Sequence, residues 1–168
     1  MNILHRNDCG QLHEFGYTRK KQNFEEWTEW MRHLGITNYG TAAINSKKHS
    51  IRTCNVIWDK FHMLVDRELY GPKYHKRKPQ DRTVFVATPE HLRSNLHYHA
   101  GFVTPDIEGF QRMSPQIWES LVPTGDLKLE DYTDENHKNE FIKYMFKEIW
   151  ENTSTDTYFV SRGGVFLK

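Results

Sequence analysis

Cysteine is scarce in this chain of 168 residues: Cys9 and Cys54 are the only two. Two cysteines make neither a disulfide framework nor a paired-cysteine zinc site. Long apolar runs are missing as well, and none approaches the ~20 residues a membrane-spanning helix needs. Met1–Gly10 carries no apolar signal region. Membrane, disulfide-rich secreted and zinc-finger classes are thereby excluded, and a cytoplasmic protein is expected. Net charge is almost absent, at +1. Aromatic residues, by contrast, are present in quantity: 10 Phe, 8 Tyr and 5 Trp. The chain is polar, with a mean hydropathy of −0.80, but those rings suffice for one compact core.

The small total charge hides a split. Lys47 to Arg82 holds ten Lys/Arg against four Asp/Glu, a net of +6. Thr104 to Glu140 holds three against nine, a net of −6. A basic segment near an acidic one fits an anionic partner gripped by part of the surface. It equally fits a solvated helix face and loop.

Residues 1–22 are polar and unpatterned and read as an arm, leaving 23–168 as one domain. Asn23 to Leu34 reads as a helix that Asn23 can cap and Gly35 ends. Asn38 to Asn45 reads as a strand, and Ser50 to Leu69 as the longest helix, with apolar residues at helical spacing. Tyr70 to Asp81, with Gly, two Pro and four Lys/Arg, reads as a loop. Thr83 to Thr88 and Leu96 to Val103 read as a strand pair joined by Pro89–Asn95. Ser114 to Leu121 opens on Ser-Pro and is expected to be a short helix. Residues 123–135 are expected to be an acidic loop, 135–150 a helix and 157–167 a final strand region. This order predicts an α+β fold, with a single antiparallel sheet and helices against it.

His97-Tyr98-His99 is the sharpest local feature. On a strand, residues two apart share a face. Both imidazoles therefore leave one side together, close enough to share a divalent ion. Tyr98, with Leu96, Ala100 and Phe102, points to the other side. Two half-exposed strand histidines are the plain alternative. A carboxylate would complete the set and suit Mg²⁺ or Mn²⁺. Glu90, at the end of the preceding strand, is the favoured candidate, with His91 and Asp106 as competitors. A second feature is Tyr144-Met145-Phe146-Lys147. Tyrosine and lysine three apart lie on neighbouring faces of one helical turn. A phenol with an ordinary pKa of ~10 needs help to act as a nucleophile, and a metal or an ammonium can supply it. The plain reading is a tyrosine packed on the sheet and a solvated lysine.

Taken together, Val84–Glu90 (VFVATPE), Asn95–Phe102 (NLHYHAGF) and Lys143–Glu148 (KYMFKE) resemble the HUH endonucleases. The likeness is to the single-tyrosine replication initiators of rolling-circle elements, and it spans roughly Tyr39 to Phe166. It implies a ferredoxin- or RRM-like sheet. His97 and His99 would be metal ligands, Glu90 the third ligand, Tyr144 the nucleophile and Lys147 an accessory cation. The family's first motif matches Gly40–Asn45 poorly, so no site residue is taken from it. The implied activity is metal-dependent, sequence-specific nicking and joining of single-stranded DNA through a covalent 5′-phosphotyrosine. The partners implied are an origin hairpin and the host's replicative helicase and polymerase. A monomer in a bacterial cytoplasm, encoded by the host, a phage or a plasmid, is expected.

On this reading the basic segment contacts DNA. Lys73, Lys76, Arg77, Lys78 and Arg93 meet phosphates, and Tyr74 stacks on bases. A solubilising loop is the alternative. Two rival functions share most of these residues. One is a single-tyrosine transposase of the same superfamily, against which Lys147 and the NLHYH context weigh. The other is an origin-binding protein that does not cleave.

Overall fold

The computed structural model describes residues 24–45, 50–90, 96–130, 134–147 and 159–161. The expected arm at 1–22, the capping Asn23, His91, Arg93 and the end of the last helix at 148–150 lie outside them. So do residues 157–158 and 162–168, most of the final strand region.

Five strands form one antiparallel sheet: β1 (Asn38–Ala43), β2 (Val84–Glu90), β3 (His97–Val103), β4 (Leu127–Glu130) and β5 (Phe159–Val160). Their spatial order is β4-β1-β3-β2-β5. Among the described residues four helices flank them: α1 over residues 24–33, α2 (Ile51–Tyr70), α3 (Ile107–Leu121) and α4 (Glu135–Met145). The fold is α+β with a single antiparallel sheet, as the sequence pattern predicts.

Each sheet face carries its own core. On one face α2 and α3 pack around Trp58, whose ring meets those of Phe61, Phe85, Tyr98, Trp118 and Phe159. Leu96, Tyr98, Ala100 and Phe102 of the β3 region point into this layer, on the expected side. On the other face α1 and α4 pack through Met31, Leu34, Phe141, Ile142, Met145 and Phe146 against Tyr39 and Val86. Period-two alternation sorts side chains between the layers, and it sends His97 and His99 toward the α1/α4 side. Gly35 ends α1 with a φ of 65°, a left-handed conformation that glycine adopts without strain.

A buried ionic knot fixes where β2 begins. Asp66 on α2 accepts from Arg82 Nε at 2.8 Å and from the Thr83 backbone N–H at 3.1 Å. His62 Nε2 donates to the Thr83 carbonyl at 2.8 Å. Burial pushes the His62 pKa down, against the pull of Asp66. A charge as buried as Asp66 is tolerated because it is paired and hydrogen-bonded.

Three sequence expectations need correction. The third helix starts at Ile107, not Ser114. Asp106 caps it by accepting from the Gly109 N–H at 2.9 Å, and Pro115 sits inside the helix, not in its first turn. The acidic stretch 123–135 is not all loop, because Leu127–Glu130 adds to the sheet edge beside β1. Finally, β2 runs through Pro89 to Glu90, so these two residues are strand and not connection.

Candidate metal centre

Register assembles this site. Glu90, the last residue of β2, lies directly opposite His97, the first of β3, and Thr88 lies opposite His99. Opposed residues of an antiparallel pair share a face. Glu90, His97 and His99 therefore project together toward α4, and a one-residue slip would send Glu90 to the other core.

The Glu90 carboxylate is buried, at 3% exposure. Its Oε2 accepts from His97 Nε2 at 2.7 Å and from His99 Nε2 at 2.6 Å. Its Oε1 pairs with the Lys147 ammonium. Burial alone would raise the Glu90 pKa, but Lys147, His99 and His97 together outweigh it and bring the group down to about 2. The carboxylate thus stays ionised at neutral pH. Burial lowers the His99 pKa, with help from His97 and Lys147 and against Glu90. Burial works to lower the Lys147 pKa as well, yet its bonds to Glu90 and Tyr144 leave it raised.

Tyr144 comes from the last turn of α4. Phe141, Ile142 and Met145 bury one side of that helix against the sheet, which carries Tyr144 to the edge of the triad. Its phenol donates to Glu90 at 3.3 Å from Oε1 and 3.4 Å from Oε2. The ring stands edge-on to His99, with centroids 4.8 Å apart. Lys147 lies just past the end of α4, and its Nζ sits 3.6 Å above the Tyr144 ring centroid, within cation–π range.

Glu90, His97 and His99 each offer one ligand atom, and these atoms lie within 4.8 Å of one another. Two imidazoles and a carboxylate on adjacent strands of one sheet are a donor set that can hold a metal ion. Asp106 is occupied as the cap of α3 and takes no part. Tyr98 faces the opposite core, where burial pushes its phenol above the ordinary value.

One residue escapes motif reading. Thr41 on β1 lies opposite His99, and its Oγ1 is 3.2 Å from His99 Nδ1. It falls within the GTAAIN stretch, whose poor match to the first family motif gave no reason to single it out. The strand pairing was the missing signal.

The basic segment is not brought to this site. Lys73, Tyr74, Lys76, Arg77 and Lys78 precede β2, whose seven residues place its two ends ~20 Å apart. Two short 3₁₀ turns, Tyr74–Lys76 and Pro79–Asp81, order this stretch. Arg77 lies over the Tyr70 ring at 4.6 Å and Arg82 over Tyr74 at 5.1 Å. Lys73, Lys76 and Lys78 are exposed.

No protein-family model, curated protein or solved structure matches the chain. Among the described residues no helix is long and apolar enough to cross a membrane.

Proposed function

We propose that the chain is a metal-dependent, sequence-specific single-stranded DNA endonuclease and strand transferase of the HUH kind. It would nick an origin through a covalent 5′-phosphotyrosine and so start rolling-circle replication. The observation that carries this reading is the Tyr144 phenol, hydrogen-bonded to the carboxylate that both imidazoles engage.

Glu90, His97 and His99 would hold Mg²⁺ or Mn²⁺. Such an ion, when bound, supplies Lewis-acid stabilisation of the negative charge on a scissile phosphate. The remaining chemistry falls to side chains. The Tyr144 oxygen attacks phosphorus and loses its proton. The bond from phosphorus to the 3′ oxygen breaks, and the departing oxygen gains a proton as the 3′-hydroxyl. Lys147, stacked on the tyrosine ring, offsets phenolate charge as it develops. The phosphoester is conserved in the covalent link, so rejoining needs no nucleotide cofactor.

A single-tyrosine transposase would use the same residues, typically with the tyrosine helix serving a partner subunit. In the initiator reading Tyr144 serves the Glu90, His97 and His99 of its own chain. The test is a set of labelled single-stranded origin hairpins incubated with protein and Mn²⁺. A covalent protein–DNA band is expected, absent in Tyr144→Phe and in His97→Ala. Mixing the two variants should not restore it; restoration would favour the transposase. Binding without any covalent band overturns the enzymatic reading.

A further inference from the structure

Between β4 and α4 a cleft of about 630 Å³ opens beside the triad. That volume falls within the ~300–1,000 Å³ of small-molecule sites. His99 and Tyr144 belong to its wall, so whatever occupies it lies against the nucleophile. Phe141, buried and edge-on to His99, supplies an apolar surface.

The charged lining is more telling. Glu140 accepts from Lys143 Nζ at 2.6 Å, so these two offset one another. His137, also in the wall, lies 3.7 Å from the Asp134 carboxylate. Glu130 is exposed on the edge strand β4, and no ion pair to it is found among the described residues. A carboxylate so placed repels the phosphates of a nucleic acid backbone. It welcomes N–H donors. The part of a nucleotide that combines a flat apolar body with N–H donors at its edge is the base.

We propose that this cleft receives the base flanking the phosphodiester cut by Tyr144, and that Glu130 selects a base bearing an exocyclic amine. Cytosine, adenine and guanine each offer such an amine. Thymine offers two carbonyl oxygens around one N–H, and these face the Glu130 carboxylate unfavourably. The inference rests on the endonuclease reading and adds a specificity determinant to it.

The experiment is a single-stranded DNA pool randomised across the cleavage region, incubated with Mn²⁺, with covalently trapped strands sequenced. With the unaltered protein, thymine should be depleted about tenfold at one position next to the scissile phosphate, the size of one good side-chain–base contact. In Glu130→Gln the depletion should vanish at that position, because the amide can donate to a thymine carbonyl. Glu130 is exposed, so the substitution does not threaten the core. Adducts with the same base preference in both proteins overturn the assignment and leave the endonuclease standing. No adduct from either protein overturns both.

Discussion

Thr41 shows what a single hydroxyl can do beside a group that could hold a metal ion. With His99 Nε2 donating to the ionised Glu90, a neutral His99 ring presents Nδ1 as an acceptor, and the Thr41 hydroxyl can donate to it. When Nε2 instead faces a metal ion, Nδ1 carries the proton and the same hydroxyl accepts it. Thr41 can therefore orient the ring in both states. Outer-shell partners of this kind are typically worth about 10–100-fold in metal affinity. Thr41→Val should weaken Mn²⁺ binding by that order in calorimetric titration, while Thr41→Ser should restore it. Equal affinities for all three proteins would leave Thr41 with a packing role only.

The elements were legible from sequence to very different degrees. Tyr98 alternating with two histidines sets a strand with one apolar and one polar side, and the structure follows that pattern. Glu90 needed only the hairpin register to join them. β4 was not legible: LKLE is four residues long, carries two charges, and owes its strand state to β1 alongside it. Helix α3 was misread because Ser-Pro imitates a helix start, whereas Asp106 provides the actual cap eight residues before Ser114. The glycine in β1 has a tertiary cause that sequence does not display. A Cβ on Gly40 would lie 2.7 Å from the Lys128 carbonyl oxygen of β4, a backbone atom that moves only if the strand moves. Gly40→Ala should therefore cost about 1–3 kcal/mol of stability, the usual range for overpacking, read as a lower denaturant midpoint. An unchanged midpoint would mean that β4 shifts freely.

At the scale of the whole molecule, closeness in sequence misleads about closeness in space. The basic segment ends two residues before β2, yet Glu90 stands at the far end of that strand, and α2 packs on the opposite sheet face from Glu90, His97 and His99. Lys76, Arg77 and Lys78 thus lie away from the site where Tyr144 would act on a phosphate. The triple substitution to alanine should weaken binding of single-stranded DNA and flatten its salt dependence, by a slope change of about 0.7 per lost phosphate contact. It should leave the position of the cut unaltered, as read by mapping the adduct on sequenced DNA. An unchanged salt slope would remove the segment from the interface. The strand order gives the centre a different kind of security. β3, which carries both histidines, is the middle strand of five, with β1 and β4 on one side and β2 and β5 on the other. Fraying at either edge of the sheet leaves it paired, so the histidines lose their spacing only when the protein opens as a whole. The spacing of the two imidazoles therefore outlasts loosening at the rim, whereas Glu90, which ends β2 beyond the Val86 and Ala87 pairing with β5, is the donor that such loosening reaches first.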